Sequence, residues 1–230
     1  MLASSVRRLL QTVGEDDVVL DVGGWAKPLR RADWVVDRMP HATRGLYGFD
    51  GDGAERFTRT TWIERDLCAR EALPFGDKSI DFAVCSHTLE DIRDPVWVCQ
   101  ELNRVAKAGY IETPSRLEEQ SYGIQGPWVG WGHHHWLVDM GAGGVEFVFK
   151  HHVVNREGSY FPAAFWHQLS PEDRVSTLWW EDSFDARERF FTEPNSLDGY
   201  LEHFVSKQLA SRGWPTTAPA RSRLARVLRR

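Results

Sequence analysis

The chain has 230 residues, 42% hydrophobic and 27% charged, with a formal net charge of −5. That is ordinary globular usage for one domain with an elaborated end, and it excludes a chain disordered throughout. No apolar run is long enough to span a bilayer, Met1–Gln11 lacks the run of a secretory signal, and the five arginines between Arg221 and Arg230 leave the rest of the chain near −10 when subtracted from −5, too acidic for an electrostatic nucleic-acid binder.

In chain order, Ser4–Val13 predicts a helix with Val6, Leu9, Leu10 and Val13 along one side. Asp17–Val22 predicts a strand ending at the pair Gly23-Gly24, followed by a helix and a second strand at Trp34–Asp37. Gly48–Gly53 reads as a loop, Ile80–Ser86 as a third strand, Pro95–Lys107 as a helix stopped at Ala108–Gly109, and Tyr110–Thr113 as a fourth strand. This alternation predicts an α/β fold with a parallel sheet covered by helices. The second half changes texture: Ser121–Gly144 is rich in glycine, tryptophan and histidine, and Val145–Val154 and Ser176–Phe184 read as strands pairing antiparallel at the sheet edge. A helix follows Ser196, and the Arg-rich tail reads as a solvated helix end. Cys68, Cys85 and Cys99 are odd in number and lack C-x-x-C spacing, which predicts reduced thiols and a cytoplasmic setting.

A strand, a glycine turn and a second strand ending in an acid suit an adenosine ligand, because glycine admits close backbone approach and the acid accepts ribose hydroxyls. The run Gly23-Gly24-Trp25-Ala26-Lys27-Pro28 is not a diphosphate-binding G-x-G-x-x-G, and Asp37 follows Asp21 by only sixteen positions. A nicotinamide dinucleotide is therefore disfavoured.

The segments VVLDVGG, Asp37, RDLCAREALPFGDKSIDFAVCSHTLEDIRDP and ELNRVAKAGYIETPS together resemble the class I S-adenosylmethionine-dependent methyltransferases, and most of all their small-molecule, type 11-like branch. The resemblance covers about residues 15–115. It implies a doubly wound, Rossmann-like sheet of seven strands with the last antiparallel, and S-adenosylmethionine across the strands' carboxyl ends. By position it implies that Asp21, Gly23 and Gly24 hold the methionine part, Asp37 the ribose, Asp66 and Leu67 the adenine, and that Ser86 and His87 line the transfer site. Lys27 or Arg38 would pair with the cofactor's carboxylate. Trp25 and Lys27 stand where the family carries further glycines, and Glu90-Asp91 where it carries Glu-His.

A hydroxyl acceptor needs a general base or a metal ion, because its pKa is very high. The run His133-His134-His135, flanked by Trp131 and Trp136, is the candidate source, with at most two of the three facing one site. His134 is the first choice as base and His133 the second. Glu112 at its strand end is a further catalytic candidate or, equally, a carboxylate paired with Arg116. Glu90 and Asp91 with a histidine are candidates for a divalent cation such as Mg, although a helix N-terminal charge pair is the more ordinary role. His151 and His152 read as structural, facing opposite sides of a strand. Trp128, Trp131 and Trp136 suit an acceptor-binding wall for a sugar-like molecule, while Trp179 and Trp180 read as filler.

These readings converge on one methyltransferase domain over 1–230: a cofactor half at about 15–115, an acceptor half at about 116–215 and a basic tail at 216–230. The expected activity is O-methylation of a sugar or other polar small molecule in the cytoplasm, with a dimer contact through aromatic surface and no nucleic-acid partner. The alternatives are a non-catalytic cofactor-binding scaffold and a methyltransferase for a non-sugar acceptor.

Overall fold

The computed structural model describes residues 1–141 and 144–214. The Arg-rich tail therefore lies outside the described residues. Helix α1 (Ala3–Thr12) buries Leu9 against one face of the main sheet, whose members in chain order are β1 (Val19–Val22), β2 (Trp34–Asp37), β3 (Trp62–Glu64), β4 (Ile80–Ser86), β5 (Ala106–Pro114) and β8 (Val175–Glu181). Their spatial order is β3-β2-β1-β4-β5-β8, with the first five parallel and β8 antiparallel to β5. The sheet has six strands rather than the seven expected, and its antiparallel edge strand is present. The order reverses between β1 and β4, so the crevice beyond their carboxyl ends is where a ligand fits an open α/β sheet.

Strand alternation sorts the core. Val19, Val35, Phe82, Val84 and Tyr110 face α1, whereas Leu20, Val22, Val36, Ala83 and Cys85 face α2 (Pro95–Val105) through its Val98, Cys99 and Leu102. On the α2 side lies a second sheet of β6 (Trp136–Gly141), β7 (Gly144–Phe149) and β9 (Asp185–Glu188), with β6 antiparallel and β9 parallel to β7. The two late apolar runs expected to pair with each other thus sit in different sheets. β7 takes β6 as its hairpin partner, and β8 takes β5. Short helices α3 (Arg116–Glu119) and α4 (Ala163–Trp166) and the longer α5 (Ser196–Ser211) complete the fold.

The helix expected between β1 and β2 does not form. Pro28 would remove a helical donor, and the loop's amides have other acceptors. Trp25 N donates to Asp37 Oδ2 at 3.0 Å, Leu29 N to Asp21 Oδ2 at 2.9 Å and Arg30 N to the Asp50 carbonyl at 2.9 Å. The buried Leu29 and Ala32 fill the helix's place in the core. Gly23, at φ +80°, has no room for a side chain, since a Cβ there would lie 2.0 Å from Thr88 Oγ1, and one on Gly24 would lie 2.4 Å from Asp21 Oδ2. The glycine pair is required by the protein's own packing.

Candidate active site

A cavity of about 770 Å³ opens at the carboxyl ends of β1, β2 and β4 and runs to the strap carrying Trp131, His133 and His134. Asp21, Gly23, Gly24, Asp37, Arg38, Asp66, Leu67, Ser86 and His87 all line it. Asp37 closes β2 with both carboxylate oxygens engaged, Oδ1 accepting from Met39 N at 2.7 Å. Burial raises its pKa against these amide donors. Burial also pushes Asp21 up to about 7, with the charges of Asp50 and Asp37 adding to the effect and the Leu29 amide opposing it. Asp66 caps a single turn at Leu67–Ala69 by accepting from Cys68 N at 2.9 Å, which fixes the buried Leu67 in the wall. Ser86 Oγ is buried without a protein partner among the described residues. Lys27, expected to meet a ligand carboxylate, is instead tied to Asp50 at 2.6 Å, while Arg38 lies exposed at the rim.

The histidine after β4 is held between two carboxylates. His87, in the left-handed region at φ +52°, places Nε2 3.1 Å from Glu112 Oε1 and Nδ1 3.5 Å from Glu90 Oε1. Burial works against its charge, but the two carboxylates outweigh it and bring the pKa to about 9. The two carboxylates favour the protonated ring, which works against His87 as a proton acceptor. Glu112 does not line the cavity or pair with Arg116; it lies beneath His87, also accepting from Tyr110 Oη and from Leu2 N at 3.0 Å. Arg116 turns to Asp139 at 3.1 Å and to Gln120. Despite burial, the donors around Glu112 hold it down at about 2. With His87 raised from 6.5 to about 9, its contribution to stability is full below pH 6.5 and is lost as pH rises through 9. With Glu112 lowered from 4.5 to about 2, its contribution is present above pH 4.5 and is lost as pH falls through 2. The melting-temperature gap between wild type and His87→Asn, a residue that tolerates the left-handed backbone, is therefore expected to be widest near pH 5–6 and to narrow toward pH 10. A pH-independent gap would remove the ion pair from the account.

At the far end, His134 Nδ1 lies 2.6 Å from Glu119 Oε1, leaving Nε2 directed toward Asp91 Oδ1 at 3.8 Å. Burial lowers the imidazole's pKa, but the Glu119 carboxylate outweighs it and the net direction is up. Lys150 Nζ holds the other Glu119 oxygen at 2.6 Å and the Trp131 carbonyl at 2.7 Å, locking the strap to α3. His133 is exposed on the cavity wall, whereas the His135 amide donates to the Glu90 carbonyl and its side chain does not line the cavity. Glu90 and Asp91 are not a helix N-terminal pair, because α2 begins at Pro95 with Asp94 as its cap. Glu90 is buried with Oε2 unpartnered among the described residues, and Asp91 is exposed.

The tryptophan cluster separates. Trp131 lines the cavity, Trp136 is buried in the core and donates to the Ile92 carbonyl, and Trp128 is 60% exposed away from the wall. Trp180 is core, and Trp179 carries Arg8 over its ring at 4.0 Å. His151 and His152 follow β7 rather than lying in it, and they are exposed with ring centroids 4.0 Å apart.

Sequence reasoning missed Glu118, Glu119 and Arg174. Glu118 lines the cavity and accepts from Trp166 Nε1 at 2.7 Å and Trp131 Nε1 at 3.3 Å, with Arg174 Nε 3.9 Å away. The available signal was Ser115-x-x-Glu118, the pattern of a helix N-terminus, and Ser115 Oγ does accept from Glu118 N.

A family profile described as a methyltransferase domain matches residues 51–111. Solved structures to which the chain shows similarity include a protein from Bacillus halodurans C-125 assigned as a methyltransferase, 18% identical, covering 49% of this chain and 52% of that one with a TM-score of 0.36. Another is an S-adenosylmethionine-dependent methyltransferase from Mesorhizobium loti, 14% identical, covering 66% and 64% with a TM-score of 0.34. A third is one from Aquifex aeolicus, 18% identical, covering 53% and 68% with a TM-score of 0.30. The match spans about half the length of the Bacillus halodurans protein. No curated protein sequence matches the chain. Over residues 51–111 the chain is thus similar to a methyltransferase domain, and that segment supplies β3, β4 and most of β5 of the open α/β sheet beneath the cavity. No helix among the described residues is long and apolar enough to cross a membrane.

Proposed function

We propose that the protein transfers a methyl group from S-adenosylmethionine to a hydroxyl of a sugar or similar polar small molecule. The observation that carries this reading is the continuity of the cavity, with Asp37 at one end and the Asp91–His133–His134 group at the other. The residues present fit the donor. Asp37 stands at a strand end for ribose hydroxyls, Ser86 Oγ is an orphaned buried polar atom in the wall, and Asp21 and His87 line the cavity beside the Gly23-Gly24 turn. The donor supplies a methyl carbon already activated by positive sulfur, so one in-line displacement forms the O–C bond as the S–C electron pair returns to sulfur.

The chain's part is alignment and relief of charge on the acceptor oxygen. Asp37 and Asp66 anchor the donor end, and Trp131 offers an aromatic wall to the CH face of a ring, with Glu118 beside it as a hydroxyl acceptor. In the metal-free site His134 Nε2 takes the hydroxyl proton, while Glu119 fixes the tautomer from behind and raises the basicity of the ring. His134→Ala is expected to lower turnover on a hydroxyl acceptor about 100-fold or more, the scale of general-base catalysis, while leaving donor affinity within about twofold. Unchanged turnover would remove His134 from the chemistry. Loss of donor affinity would place it in the cofactor site.

A further inference from the structure

His134 is held in the manner of a metal-ligating histidine. Its Nδ1 is fixed at 2.6 Å by a buried carboxylate that Lys150 in turn secures, and its Nε2 is turned toward Asp91. That carboxylate–histidine arrangement orients an imidazole whose other nitrogen binds a cation. His133 stands next to it, with ring centroids 4.4 Å apart, and one donor atom from each of Asp91, His133 and His134 lies within 4.8 Å of the other two. All three residues line the cavity. A second observation is Glu90, on the turn that carries Asp91. Glu90 lines the same cavity, buried, with Oε1 toward His87 at 3.5 Å and Oε2 unpartnered among the described residues.

We infer that Asp91, His133 and His134 bind a divalent transition-metal cation of the zinc type at the acceptor end of the cavity. Ligands about 2.0–2.2 Å from a tetrahedral centre stand roughly 3.3–3.6 Å apart; Asp91 Oδ1 and His134 Nε2, at 3.8 Å, are already close to that, and the trio as a whole lies within 4.8 Å and closes by small side-chain turns. Asp91 and His133, both exposed, are free to turn, whereas His134 is the fixed point. Two imidazoles and one carboxylate suit Zn²⁺, Fe²⁺ or Ni²⁺, whereas Mg²⁺ demands an oxygen shell, so Mg is not the cation this set selects. Three protein ligands leave further positions open toward the cavity, where neighbouring hydroxyls of a polyhydroxylated acceptor fit. This assignment rests on the methyltransferase reading for its purpose but not for its test.

The test is a titration of the full chain, stripped with a chelator, with CoCl₂ and then ZnCl₂, followed by visible absorption and calorimetry. One equivalent of Co²⁺ is expected to give ligand-field bands that Zn²⁺ abolishes and millimolar MgCl₂ leaves intact. Asp91→Ala and His133→Ala change exposed side chains and are expected to weaken binding at least tenfold. Glu119→Gln, which keeps the shape of the group holding His134 and Lys150 but removes its charge, should weaken it about 10- to 100-fold. His151→Ala, removing one of the exposed adjacent pair outside the site, should change nothing. Absence of bands, displacement by Mg²⁺, or binding that persists in Asp91→Ala and His133→Ala but falls in His151→Ala would overturn the assignment. S-adenosylmethionine titrated into the same samples separates the two claims. Donor binding without metal binding defeats this inference alone, and metal binding without donor binding defeats the methyltransferase reading alone.

Discussion

Asp37→Ala is expected to weaken S-adenosylmethionine binding at least about 100-fold while the protein remains folded. Two ribose hydroxyls donating to one carboxylate form charge-assisted bonds of about 1.5–3 kcal/mol each, and 1.4 kcal/mol is tenfold in affinity. The substitution does a second kind of damage. Asp37 also accepts from Trp25 N and Met39 N, so its removal frees the backbone beside the lining residues Trp25 and Arg38. Asp37→Asn retains an acceptor oxygen but loses the charge, and should fall between the two. Calorimetric affinities for the three proteins give the order. If Asp37→Ala binds as tightly as wild type, the ribose lies elsewhere.

Glu119→Ala is expected to carry the largest stability penalty of any single change between residues 116 and 214. Glu119 is 1% exposed and Lys150 7%, and the variant leaves the lysine's charge buried without its partner. Removing one member of a buried ion pair costs about 3–5 kcal/mol, which for a domain of this size lowers the melting temperature by about 10 °C or more. Gly130 tightens the constraint, since its backbone passes so close that an added Cβ would lie 2.5 Å from the Glu119 carbonyl. The paired change Glu119→Ala with Lys150→Met removes the orphaned charge and should recover much of the loss. A melting temperature within about 2 °C of wild type for Glu119→Ala would show that the strap is not held through this carboxylate, and His134 would lose its fixed orientation.

Much of the stretch from residue 15 to 115 was legible because its signals are local. Ile80–Ser86 and Trp34–Asp37 are short apolar runs bounded by polar residues, and Pro95 after Asp94 marks a helix start that the structure places at the same residue. The segment between Gly23 and Asp33 was not legible for the opposite reason. Its conformation is set by carboxylates on other segments, Asp21, Asp37 and the Asp50 backbone, that take up its amides. The role of the glycine pair shifted likewise, because Thr88, 65 residues from Gly23, occupies the space a side chain would need. Strand pairing in the second half failed because two apolar runs carry no information about which neighbour each will choose. Strand alternation would send neighbouring histidines to opposite sides, yet His133 and His134 both line the cavity, because the run lies before β6 rather than in a strand. Glu119, which determines what His134 can do, looks in the sequence like any other acid on a short helix.

The most direct measurement is calorimetric titration of the purified wild-type chain with S-adenosylmethionine and with S-adenosylhomocysteine. The cavity formed by the Gly23-Gly24 turn, Asp37 and Asp66 predicts one saturable site per chain for each, with competition between them and a rise in melting temperature on binding. A folded protein that gives neither heat nor thermal shift with either molecule at millimolar concentration would contradict the account at its base.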